Sequence, residues 1–212
     1  MTKPSLTKPC SWSLLAVLVT VGLYAQVPAG ERIDEPRVRV FVANEQPHHA
    51  GAQHEHKVNR VMIYLGDGEM TFTSPAGKVN KLKVKKGDVL WSPATGPHVS
   101  ENITNQPFQI VEVELKGKPQ RAAVPESKLD PLKVDPKHYT LVFENDQVRV
   151  LRVRFGAHEK GVLHEHTLDH LVVYMNDQAR GKTGEVRLDG VMTHTEENPL
   201  DHAVERIAID LK

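Results

Sequence analysis

Along most of the chain, polar and apolar residues alternate, or β-branched residues gather in short runs. Such runs are RVRVFVA (37–43), RVMIYL (60–65), KLKVK (81–85), DVLWS (88–92), FQIVEVEL (108–115), QVRVLRVRF (147–155), DHLVVYM (169–175) and VERIAIDL (204–211). Alternation puts successive side chains on opposite faces of a strand, and Gly, Pro, Asn and Asp break the runs into short strands. Long helical periodicity is missing, so the pattern predicts an all-β chain built as a sandwich or jelly-roll barrel. The lysines at 81, 83 and 85 alternate with Leu82 and Val84. This predicts a strand with one wet, charged face that discourages edge pairing, not a binding patch.

The pattern occurs twice. Val38 begins VRVFVANEQPHHAGAQHEH and Val148 begins VRVLRVRFGAHEKGVLHEH, an offset of 110 that also carries His48 to His158, His54 to His164, His56 to His166 and Tyr64 to Tyr174. Further on, HVSEN (98–102) answers HTEEN (194–198), and VEVELK (111–116) answers IAIDLK (207–212), now at an offset of 96. The chain reads as a tandem duplication whose second copy is shorter between its two histidine motifs. The missing length is that of two strands and a turn, so the second copy lacks a hairpin that the first carries over 69–86. The shortened edge needs cover, which predicts tight packing between the repeats or a homodimer. The stretch 117–137, with Pro119, Pro125, Pro131 and Pro136, reads as an extended, stiff linker between domains at 36–116 and 138–212.

Composition narrows the partners. Twenty-seven basic residues balance twenty-seven acidic ones, so no net charge draws the chain to nucleic acid or an anionic membrane. Lys3 and Lys8 precede a 14-residue apolar run ending at Ala25. That run is shorter than the ~20 residues of a spanning helix and reads as a signal peptide over 1–25. This implies export from a bacterial cytoplasm to the periplasm or beyond, with no membrane attachment after cleavage. The single cysteine, Cys10, lies within that segment, so disulfides, thiol catalysis and zinc–thiolate sites are not expected.

The histidines carry the chemistry. Residues two apart on a strand share a face, so His54 and His56 aim together while Glu55 points away; His164, Glu165 and His166 repeat this. Two imidazoles from one strand and a third from a neighbour form a facial metal set with open positions. His98 and His194 are the expected third members, and His170, an even step from His166, would also face inward. Single strand histidines are mostly structural, but the recurrence of the pair with a matching third member favours metal.

These motifs resemble those of the cupin superfamily, and the two copies resemble a bicupin. The family's first motif centres on a His-x-His pair, and its second runs Gly, Pro-x-Gly, His, Asn. The first repeat matches with His54, His56, Gly87, Pro93, His98 and Asn102, with Gly96 displaced by one. The second supplies His164, His166, His194 and Asn198, with Gly184 and Gly190 in degraded positions. The resemblance implies two tandem small jelly-roll β-barrels, the second shortened by about one hairpin. It also implies a divalent transition metal, iron, manganese, zinc, nickel or copper. The candidate ligands are His54, His56 and His98, with His164, His166, His170 and His194 as a second set. Two departures stand out. The family's glutamate ligand falls at Arg60 or Val61 in the first repeat and at His170 or Leu171 in the second, and the motif's leading glycine is replaced by His48 and His158. An inward Arg60 could bind a substrate carboxylate bidentately.

Fold alone fixes no reaction. One reading is a metal-dependent oxygenase or isomerase acting on a small molecule. The other is a non-catalytic or degenerate module that holds a small ligand without metal. In either, Trp91, Tyr64 and Tyr174 are expected in the core.

Overall fold

A computed structural model describes residues 28–212. The signal-like stretch and Cys10 lie outside the described residues. The first half holds a five-stranded antiparallel sheet made of β1 (Gly30–Asp34), β2 (Val38–Glu45), β10 (Phe108–Leu115), β5 (Arg60–Tyr64) and β8 (Val89–Ser92), in that order. Facing it are β3 (His49–Ala50), β9 (Thr95–Asn102), β6 (Gly68–Thr73) and β7 (Val79–Val84), with β4 (His54–His56) paired to β9. The second half repeats the large sheet as β11 (Tyr139–Glu144), β12 (Val148–Phe155), β17 (Val204–Leu211), β14 (His170–Tyr174) and β15 (Val186–Asp189). Its facing sheet has only β13 (His164–His166) and β16 (Met192–His194). The ladders do not close into continuous barrels, so each half is a jelly-roll of two facing sheets. No helix among the described residues is long and apolar enough to cross a membrane.

β5 is buried at all five positions, RVMIY, because both its faces are covered. Val61 and Ile63 join Val38, Val40, Val42, Val111, Val113 and Leu115 in a cluster that continues into Val148, Val150, Leu171, Val173, Ile207, Ile209 and Leu211 of the second half. Met62 and Tyr64 point the other way, with Met70, Val84, Phe108 and Ile110, into the first jelly-roll. The two halves thus share one core across the backs of their large sheets, where each fully buried aliphatic side chain contributes about 1.5–3 kcal/mol. Trp91 lies edge-on to Phe143 of the second half across this seam. The shared core does not lie at the shortened facing sheet, whose two strands of three residues each leave little edge exposed.

The hairpin expected over 69–86 is β6–β7. In the second half the chain passes from β14 to β15 through 175–185, with only a Gln178–Gly181 bridge. A Cβ at Gly181 would lie 2.4 Å from the Tyr174 ring, so only glycine lets this short connection cross it. Among the strands that went unread in the sequence are β1, which lies wholly before residue 36, and its counterpart β11.

The stretch 117–137 corrects the expectation of an extended linker. It forms a short helix, α1 (Pro131–Val134), with the Asp130 carboxylate accepting from Leu132 N at 2.9 Å. Asp followed by Pro is a cap-and-first-turn signal. The segment docks on the second half. Leu129 O accepts from Glu165 N at 2.8 Å, Ser127 Oγ donates to Glu165 at 2.6 Å, and Asp130 pairs with Arg149.

The replaced motif glycines keep a glycine-like backbone. His48 (φ 50°) and His158 (φ 57°) are the described non-glycine residues with positive φ. Their rings make matching contacts, His48 Nε2 with Asn105 Oδ1 at 2.6 Å and His158 Nε2 with Asp201 Oδ1 at 2.8 Å. Asn102 and Asn198 are also equivalent. Asn102 Nδ2 donates to Glu45 O and Gln106 O, and Asn198 Nδ2 to Gly156 O and His202 O. Each asparagine ties the end of the motif to the loop after it.

Candidate functional site

Antiparallel pairing sets His54 of β4 opposite His98 of β9, and a register shift brings His56 opposite Thr95. The three rings converge, with centroids 4.9 Å apart for His54–His56, 4.6 Å for His54–His98 and 5.4 Å for His56–His98. One nitrogen from each lies within 4.8 Å of the others. His54 Nδ1 donates to Ala52 O and His98 Nδ1 to Gly96 O, each at 2.9 Å. A carbonyl only accepts, so both rings keep a free lone pair on Nε2, the tautomer a metal requires. Glu55 faces away and meets Lys57 at 3.3 Å.

His56 differs. Its Nε2 accepts from Arg60 Nη1 at 2.8 Å. Burial, followed by the charge of Arg60, pushes its pKa down to about 3, so the ring is neutral. Arg60 does face inward, buried at 6 % exposure, but its guanidinium is already engaged. Nη1 also pairs with Glu112 Oε2 at 2.7 Å, and Nη2 donates to Ser92 Oγ at 3.0 Å. The group expected to receive a substrate carboxylate is held by a carboxylate of the chain itself.

The histidines sit in the wall of a cavity of about 590 Å³, lined on its apolar side by Met62, Met70, Phe72, Leu82 and Leu90. Glu45 and Glu112 line it as well, two acids that sequence reasoning missed. Burial, then the charge of Glu112, raises the Glu45 pKa above the usual carboxylate range. Glu112 reaches the site through β10, which pairs with β5. A buried arginine at 60 in place of the expected acid was the one signal that some carboxylate must lie opposite.

The second half assembles the counterpart differently. His164 lies opposite His194, and the centroids of His164, His166 and His194 are 4.5–5.4 Å apart. His170 is inward too, its ring stacked on His166 at 4.1 Å. Here the interior is filled. Tyr139 Oη lies 3.0 Å from His164 Nε2 and 2.6 Å from Glu196 Oε2, and Glu196 pairs with Arg206 at 2.7 Å. Only about 20 Å³ of void remains beside His166, His170 and His194. Burial lowers the pKa of His164 and His170 and brings His194 down to about 4, although Glu196 opposes the shift there. Tyr139, Glu196, Arg206 and Asp210 were not singled out by the sequence.

Residues 41–114 match the Cupin domain family. No curated protein matches the chain. Among solved structures, a Cupin 2 conserved barrel domain protein from Leptotrichia buccalis aligns with TM-score 0.53 and 16% identity over 89% of this chain and 90% of that one. AerE from Microcystis aeruginosa aligns with TM-score 0.57 and 10% identity, covering 87% and 97%. A variant of oxalate decarboxylase from Bacillus subtilis, an enzyme with Mn(II) centres, aligns with TM-score 0.57 and 13% identity, covering 87% and 75%. At these identities the likeness concerns fold. The chain therefore has the cupin fold, and its residues 41–114 match the Cupin domain family.

Proposed function

We propose that the first half is a metal-dependent site for a small organic substrate, with His54, His56 and His98 as ligands to one divalent transition metal. The observation that carries this is the pairing of a converged three-histidine set with an adjoining cavity of about 590 Å³, against about 20 Å³ beside the histidines of the second half. Three nitrogen ligands fit iron, manganese, zinc, nickel or copper, and the Mn(II) centres of the oxalate decarboxylase neighbour make manganese the first to load. Such a metal supplies Lewis-acid or dioxygen chemistry, which suits an oxygenase or isomerase. The chain's own residues select the substrate. Arg60 is neutralised by Glu112, and the walls are methionine, leucine and aromatic, so a weakly polar molecule fits better than a small dianion. Glu45, whose carboxyl holds its proton more tightly than usual, is placed to exchange a proton with it.

A non-catalytic ligand-binding role uses the same cavity without turnover. Export directed by residues 1–25, self-association into a homodimer, and independence from nucleic acid and membrane remain part of the proposal on sequence grounds.

The test is elemental analysis of the purified protein after anaerobic loading with Mn(II) or Fe(II), paired with a substrate screen. Retained metal that is lost in His54→Ala/His56→Ala supports the site. A parent that retains no metal at this site rejects it. Retained metal with ligand binding but no turnover leaves the binding module.

A further inference from the structure

A second ligand set lies beneath the histidines of the second half. His166, His170 and Asp210 are 3 %, 2 % and 1 % exposed, and one ligand atom from each lies within 4.8 Å of the others. His166 Nδ1 and Asp210 Oδ1 are both buried with no hydrogen-bond partner. They face each other at 3.8 Å, too far for a hydrogen bond but near the spacing of two ligands on one small cation, each about 2.0–2.2 Å from it. His170 Nδ1 donates to Leu168 O at 3.3 Å, which leaves its Nε2 lone pair free. Two orphaned polar atoms buried together would cost about 1–3 kcal/mol each.

Charge and space point the same way. Arg149 Nε donates to Asp210 Oδ2 at 2.7 Å, and the same guanidinium pairs with Asp130. Two buried carboxylates share one arginine, leaving a net negative charge beside the imidazoles. The adjoining void of about 20 Å³ holds about one ion or water and no substrate. By contrast, His164 has both nitrogens engaged, Nδ1 by Val162 O and Nε2 by Tyr139 Oη, each at 3.0 Å. In the three-histidine set equivalent to that of the first half, His164 therefore has no free nitrogen.

We propose that the second half binds a structural divalent cation of the zinc class through His166, His170 and Asp210. This set has no counterpart in the first half, where Arg60 stands at the position of His170. The fourth position falls to a water or to His194, whose Nε2 is also buried without a partner and lines the same void. Two nitrogens and one carboxylate, all buried, suit zinc, and the ion stiffens the joint between β13, β14 and β17.

The experiment uses the full chain carrying His54→Ala/His56→Ala, so the first-half site does not contribute. The protein is loaded with ZnCl2, desalted, and assayed for zinc per chain and for Tm. About one zinc should remain, and zinc should raise the Tm of the metal-free form by about 5 °C. Adding His170→Leu should abolish both effects, whereas His164→Gln should keep both. If His170→Leu does not fold, His170→Gln takes its place and should likewise lose zinc. The proposal is overturned if the His54/His56 variant retains no zinc. It is equally overturned if His164→Gln loses zinc while the His170 variant keeps it.

Discussion

Arg60 is the sharpest handle on the first-half site. Its guanidinium donates to His56 Nε2 at 2.8 Å and to Glu112 at 2.7 Å, so a metal entering through that nitrogen must first displace an arginine. A hydrogen bond to a charged group contributes about 1.5–3 kcal/mol, which corresponds to about 10- to 100-fold in affinity. Arg60→Met keeps much of the volume, frees His56 Nε2 and leaves Glu112 unpaired in the cavity wall. Zinc or manganese should then bind about 10- to 100-fold more tightly in a chelator-competition titration. Arg60→Met/Glu112→Gln separates the two contributions. It keeps the released nitrogen but removes the carboxylate, so any affinity lost between single and double variant measures Glu112 acting as a ligand. The metal-free single variant should be less stable than the parent, because removing one partner of a largely buried pair strands the other, and metal should restore part of that loss. Unchanged or weaker affinity in Arg60→Met would refute the reasoning, since it would mean the metal does not use His56 Nε2.

Three further outcomes follow from the packing and the protonation states. Ile209 lies in the core shared by both halves; Ile209→Ala should cost about 2–5 kcal/mol, and Trp91 fluorescence and far-ultraviolet circular dichroism should shift together in urea. A Trp91 transition that does not move would show that the halves unfold separately. His158 holds φ 57°, which costs a non-glycine residue about 1–2 kcal/mol, against little for its exposed contact with Asp201. His158→Gly should therefore stabilise by about 0.5–1 kcal/mol, and a lower urea midpoint would count against this account of the backbone. In metal-free protein, His56 and His194 titrate near 3 and 4, and His164 and His170 are also lowered from 6.5. The native state thus binds fewer protons than the unfolded chain below pH 6.5. Stability should be full above that pH and fall as pH drops towards 4, with a shallower fall in His170→Leu; a midpoint that rises on acidification contradicts the burial of neutral rings.

What the sequence made legible is what depends on short-range rules. Strand alternation placed His54 with His56 and turned Glu55 outward, and the repeat offset marked His98 and His194 as equivalent third members, whereas their pairing with His54 and His164 is set by the strand register. What it hid arrives through long-range pairing. Glu112 stands 52 residues from Arg60, Tyr139 lies 57 residues from Glu196, and Asp210 is 61 from Arg149, so no local pattern joins them. The α1 turn was legible in principle, since Asp130-Pro131 is a start signal, but the prolines around it read as linker. The two halves also differ by a coupled exchange. Arg39–Glu114 and Arg149–Asp210 occupy equivalent places on the large sheets, so the outer pair is kept. The inner pair is not, for Arg60 and Glu112 stand where the second half has His170 and Ala208. Removing a buried arginine together with its carboxylate avoids stranding either charge, and it leaves His170 and Asp210 facing the same interior. The first half keeps charges poised around a cavity of about 590 Å³, while the second sets buried imidazoles beside a void of about 20 Å³ at the same positions.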